Sequence, residues 1–145
     1  MKIYFKRSMI AILLMYLLLL SYWMLFGFGR VTHTQYMYNL RPFSTITQFL
    51  DASNNNSYTQ IINLAGNIGV FIPFGVLLPL VCRGKFLKQL IRFLSGLLVL
   101  ETMQLMTRRG SFDVDDFLLN TIGFTIGYCI YKIIFRFVKT KSSNL

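Results

Sequence analysis

The residue types able to do chemistry gather in one stretch, Glu101 to Gly127 (ETMQLMTRRGSFDVDDFLLNTIGFTIG), which holds four of the five acidic residues in the chain. Glu101, Asp113, Asp115 and Asp116 lie there beside Arg108 and Arg109, between long apolar runs. An ionisable group at the centre of a bilayer costs about 2.5–3.5 kcal/mol on insertion scales, so acids kept among apolar spans imply partners or a task. Arg108 and Arg109 are the partners the sequence offers. Carboxylates clustered with arginines suit a phosphate or pyrophosphate headgroup. Glu101 and Asp116 are the candidate general acid or base groups, since desolvation brings a carboxyl group toward neutral-range proton transfer. Against catalysis stand a single histidine, His33, set in a polar loop, and cysteines Cys82 and Cys129 with no metal-ligand spacing. No metal and no cofactor is expected.

These groups need a scaffold, and the composition points to a membrane. A chain of 145 residues that is 54% hydrophobic and 16% aromatic, with a net charge of +10, is too apolar for a soluble basic domain. The basic residues bracket apolar runs rather than lining one polar element with stacking aromatics, which excludes nucleic acid as the expected partner. Membrane lipids are the expected surroundings, and the oligomeric state is left open.

The expected fold is an all-α integral membrane protein, one domain over 1–145, with transmembrane helices near 8–28, 61–81, 86–106 and 116–138. External loops cover 29–60 and 107–115. The first run follows Lys2, Lys6 and Arg7 and has neither the short core nor the small-residue cleavage site of a signal peptide, so it reads as an uncleaved span. The second contains Pro73 and Pro79, each four residues after a glycine, Gly69 or Gly75, that leaves room for the ring. Asn63 and Asn67 share a face near its outer end.

The third span carries the strongest constraint. Its uncharged run, Phe93 to Leu100, is too short to cross about 30 Å of hydrocarbon at about 1.5 Å per residue, so crossing forces Glu101 into the membrane. Gln104 and Arg108 follow Glu101 at helical spacing and form one polar stripe. At the start of the fourth span, Asp115 and Asp116 also suit the positive end of a helix dipole, where capping is the lesser alternative to a role in the site. Asn120 lies one turn beyond Asp116, followed by Gly123 and Gly127 in a small-xxx-small pattern that lets helices approach closely.

Charge asymmetry orients the bundle. Eleven of the fifteen Lys and Arg residues fall at the N-terminus, in the turn after the second span and in the tail, whereas Arg30, Arg41, Arg108 and Arg109 occupy the opposite loops. The positive-inside rule then places both termini in the cytoplasm. Asn63, Asn67, Glu101, Gln104, Asp116 and Asn120 would converge at the outer end of the bundle, covered from the loop by Arg108, Arg109, Asp113 and Asp115.

The ordered blocks Asn39-Leu40-Arg41-Pro42-Phe43, Asn67 to Gly75, Glu101 with Gln104, and Arg109 through Asp113, Asp115, Asp116 and Asn120 to Gly123 and Gly127 resemble the VanZ-like family over roughly residues 39–130. That resemblance implies a small multi-pass protein of a bacterial cytoplasmic membrane. Some members lower susceptibility to teicoplanin and other lipid-tailed glycopeptide antibiotics. Three functions follow as expectations. The first is a non-enzymatic protein that alters access to a lipid-tailed antibiotic or handles a lipid-linked envelope precursor at the outer face. The second is an intramembrane enzyme acting on such a precursor through Glu101 or Asp116. The third is a structural subunit or small transporter.

Overall fold

Apolar runs in lipid close their backbone hydrogen bonds within a helix, and the computed structural model contains four helices long and apolar enough to cross a membrane. It describes residues 3–27, 30–50 and 57–143; the side chains of 48–50, 57–61, 63 and 136–143 are outside the described set. Helix α1 is Ile3–Phe26, α3 is Ser57–Val81, α4 is Phe86–Thr107 and α5 is Val114–Ser143, with a short α2 at Ser44–Leu50. The asparagine run over 51–56 and the side chain of Asn63 are therefore not part of the structural description.

Helices α3 and α5 form the most extensive contact in the molecule. Glycines set their separation. A Cβ at Gly123 would lie 2.1 Å from the Ile68 carbonyl oxygen, one at Gly127 would lie 2.0 Å from the Ile72 oxygen, and one at Gly75 would lie 2.1 Å from the Phe124 oxygen. Both partners rise together along the chain, so the helices run parallel. Gly75 thus serves α5 as well as the proline turn of α3, because its open face meets backbone of the neighbouring helix. Pro73 removes the amide that would bond the Gly69 carbonyl. On the adjacent residue, the Tyr16 hydroxyl of α1 donates to the Val70 carbonyl at 2.7 Å.

Aromatic rings fill the space that these backbones enclose. Phe93 of α4 stacks on Phe124 of α5 at 4.5 Å and meets Phe71 of α3 edge-on at 5.6 Å, with Leu20, Leu97 and Leu100 completing the buried cluster. Offset and edge-on pairs of this kind add about 0.5–1.5 kcal/mol each beyond their buried area.

At one end of the bundle, the links after α1 and after α4 pair as a two-stranded parallel sheet, β1 (Met37–Asn39) with β2 (Ser111–Asp113). Met37 faces Ser111, and Asn39 faces Asp113. The sequence reading has plain loops here, because three residues are too few for alternation to register as a strand. The pairing holds both loops at the same end of the four spans, with the 82–85 turn at the other.

Candidate functional site

The acids of the 107–116 region divide between two tasks according to the direction in which α5 turns them. Consecutive helical residues point about 100° apart, so Asp115 and Asp116 face different neighbours. Asp115 is 0% exposed and accepts three amide hydrogen bonds, from Phe43 (2.6 Å), Thr45 (2.8 Å) and Ile46 (3.2 Å), so its carboxylate caps the start of α2 across the fold. Phe43 sits at φ 65° to present its amide, a conformation that is strained for a residue with a side chain. Asp113 accepts from the Thr45 hydroxyl at 2.5 Å, from the Asp115 amide at 2.8 Å and from Asn39 Nδ2 at 3.3 Å. The Asn39–Phe43 block and the Asp113–Asp116 block are thus one hydrogen-bonded unit. Losing a carboxylate here would strand buried amides at about 1–3 kcal/mol each.

Asp116 turns toward an open-sided cavity of about 290 Å³ lined by α1, α3, α4 and α5. Its polar lining is Asn67, Glu101, Gln104, Asp116 and Asn120, with Arg30 at one side. Apolar side chains, among them Leu20, Trp23, Ile62 and Val70, make up the rest. Asn67 Nδ2 donates to Asp116 Oδ1 at 2.8 Å, tying α3 to α5, and Gln104 Nε2 donates to the Met24 carbonyl at 2.8 Å, tying α4 to α1. Glu101 is 1% exposed and Asn120 is 2% exposed, yet Glu101 Oε2 and Asn120 Oδ1 have no hydrogen-bond partner. A second cavity of about 160 Å³, lined almost wholly by apolar groups such as Leu13, Leu17, Leu97 and Leu100, shares the Phe71 wall with the first.

The arginines are disposed differently from the sequence expectation that Arg108 and Arg109 pair with the buried acids. Arg108 ends α4 in the left-handed region at φ 55°, donates to the Thr34 carbonyl at 3.2 Å and lies over the Tyr36 ring. Arg109 lies over the Phe26 ring, 4.6 Å from its centre. Neither joins Glu101, because the left-handed turn at Arg108 directs the chain away from the polar stripe of α4. The guanidinium at the cavity is Arg30, whose Nη1 donates to the Arg109 carbonyl at 3.1 Å. Nothing local in the sequence marks Arg30, which follows directly on α1, where its amide bonds the Gly27 carbonyl, and so stands beside the cavity that α1 helps to line. Gly110 makes room for it: a Cβ there would lie 2.7 Å from Arg30 Nη1 and 3.0 Å from Gln104 Cδ.

The structure therefore brings Asn67, Glu101, Gln104, Asp116 and Asn120 around one cavity. It sets Asp113, Asp115, Arg108 and Arg109 in the loop assembly beside it. No cluster of three or more potential metal-ligating side chains occurs among the described residues.

No curated protein and no solved structure matches the chain. The family comparison does: residues 9–136 match the VanZ/LLP1 family, and the chain, a multi-pass membrane protein, belongs to it.

Proposed function

We propose that the protein sits in a bacterial cytoplasmic membrane with both termini inside, and that its cavity takes the headgroup of a lipid-linked envelope component at the outer face. By holding that component it alters access of lipid-tailed glycopeptide antibiotics such as teicoplanin. The observation that carries this reading is the cavity itself, whose lining combines polar Glu101, Asp116 and Asn120 with apolar Leu20, Trp23 and Val70. Such a surface matches an amphiphile whose head is polar and whose tail remains in lipid. The adjoining apolar cavity behind Phe71 offers a path for a chain. At about 290 Å³ the polar cavity falls just below the ~300–1,000 Å³ of sites that enclose a drug-sized ligand, so it suits a headgroup rather than a glycopeptide core.

Gly66 provides the test, since it lines the cavity and a Cβ built there meets nothing within 4 Å. Gly66→Leu should fold normally and fill the space. In a susceptible Gram-positive host, the wild-type chain should lower teicoplanin susceptibility more than vancomycin susceptibility, because vancomycin lacks the acyl tail, and Gly66→Leu should remove the effect. Equal changes for both drugs would point instead to an altered wall precursor.

The orientation has its own check. In a chain with Cys82 and Cys129 replaced by alanine, Ser111→Cys, at the exposed first residue of β2, should react with a membrane-impermeant thiol reagent on intact cells. Lys85→Cys, in the turn before α4, should not. The reverse labelling pattern would invert the topology.

A second reading, an intramembrane enzyme acting on the same substrate class, is favoured by Glu101 and Asp116 sharing one cavity. Mass spectrometry of lipid extracts from cells with and without the protein separates the two: a changed envelope lipid indicates turnover, an unchanged profile indicates binding.

A further inference from the structure

Among the described residues, the buried side-chain polar atoms without a hydrogen-bond partner are two, Glu101 Oε2 and Asn120 Oδ1, and both line the same cavity. Both are acceptors. Neither Asn67 Nδ2, which donates to Asp116, nor Gln104 Nε2, which donates to the Met24 carbonyl, reaches these two atoms. Buried acceptors left open cost stability unless something that donates fills the space. The lining carries two carboxyl groups against one guanidinium, so the missing donor is best a cation. Arg30, in contrast, is exposed beside the cavity and offers an anion-binding group where the cavity meets the loops.

We propose that the ligand group entering this cavity is a primary ammonium carried close to a phosphodiester, as in an ethanolamine-type lipid headgroup. The ammonium points inward to Glu101 Oε2 and Asn120 Oδ1, and the phosphate stays outward against Arg30. A primary ammonium presents three N–H donors in a compact charged group, which suits two open acceptors on the lining of one small cavity. A trimethylated ammonium carries the charge without any N–H donor. A glycerol headgroup carries hydroxyl donors without the charge. The proposal rests on the reading that the cavity receives a lipid headgroup, and it adds the chemistry of that headgroup.

Trp23 is the single tryptophan of the chain and lines the cavity, so its fluorescence reports occupancy. The purified protein in maltoside micelles is titrated with dihexanoyl phospholipids bearing phosphoethanolamine, phosphocholine or phosphoglycerol, and with tail-less phosphoethanolamine. The expected result is binding of the ethanolamine lipid about tenfold or more tighter than the other three, the scale of a charge-assisted hydrogen bond. Glu101→Gln should bring the three lipids to similar affinities. The headgroup comparison uses the wild-type chain, so it decides the matter even if the variant fails to accumulate. Equal affinity for all three lipids would overturn the ammonium while leaving a lipid-headgroup cavity in place. Equal affinity for tail-less phosphoethanolamine would overturn the lipid source, and no Trp23 response to any lipid would overturn both readings.

Discussion

Glu101→Gln is expected to leave the protein abundant in the membrane with an unchanged melting temperature, and to reduce its effect on glycopeptide susceptibility to that of cells lacking it. What Glu101 touches decides this outcome. A carboxylate buried in an ion pair is costly to remove, because about 3–5 kcal/mol is lost when its partner is left as an uncompensated charge. Arg108 is held by Thr34 and Tyr36 and Arg109 by the Phe26 ring, while Arg30, the guanidinium at the cavity, keeps the Arg109 carbonyl and the Asp116 carboxyl group as partners when Glu101 is replaced. Glu101 Oε2 instead faces the cavity with no partner. Glutamine keeps the shape and one carbonyl oxygen while removing the ionisable carboxyl group, so what disappears is the ability to hold a cationic donor. Membrane-fraction abundance and detergent melting, measured beside the susceptibility phenotype, check both halves. Normal abundance with full activity would remove Glu101 from the functional site, and low abundance would make it a structural residue.

Gly127→Ala should do the opposite and damage the fold itself. The added Cβ would stand 2.0 Å from the Ile72 carbonyl oxygen, 2.9 Å from its carbon and 3.0 Å from Gly75 Cα. All three atoms are backbone, so no side chain can rotate out of the way and the helices must separate. Separation weakens the Phe93–Phe124 stack and, about two turns further along α5, the Asn67–Asp116 bond that orients the inward acid. Overpacking of this kind costs about 1–3 kcal/mol, which for a chain of this size lowers the melting temperature by roughly 5–10 °C. Gly96→Ala supplies the control, since a Cβ there meets nothing within 4 Å and alanine favours helix over glycine by about 1 kcal/mol. Thermal melts of the two variants in the same detergent should diverge in sign. Equal melting temperatures would contradict the close α3–α5 approach.

The features legible in the sequence are those that lie along one helix. Hydropathy marks the four spans, the short uncharged run from Phe93 to Leu100 forces Glu101 inside the third, and the spacing of Asp116, Asn120, Gly123 and Gly127 defines one face of α5. Features that depend on contacts between distant segments were not readable. Asp115 and Asp116 look alike as acids in a first helical turn, yet one caps α2 and the other lines the cavity, a difference set by which segment each happens to face. Arg30 sits in an unmarked polar stretch and reaches Arg109 across 79 residues of chain. The β1–β2 pairing that joins the two loops comprises two strands of three residues, below the length at which a pattern emerges.

The central claim is that a lipid headgroup occupies the cavity among α1, α3, α4 and α5. Its most direct test is photocrosslinking in reconstituted vesicles with a phospholipid carrying a diazirine on its headgroup, followed by peptide mapping. The account predicts adducts concentrated on the peptides that contain Asn67, Glu101 and Asn120, and their loss in Gly66→Leu while adducts elsewhere persist. Adducts spread evenly over the lipid-facing surfaces of α4 and α5, and unchanged in Gly66→Leu, would contradict it.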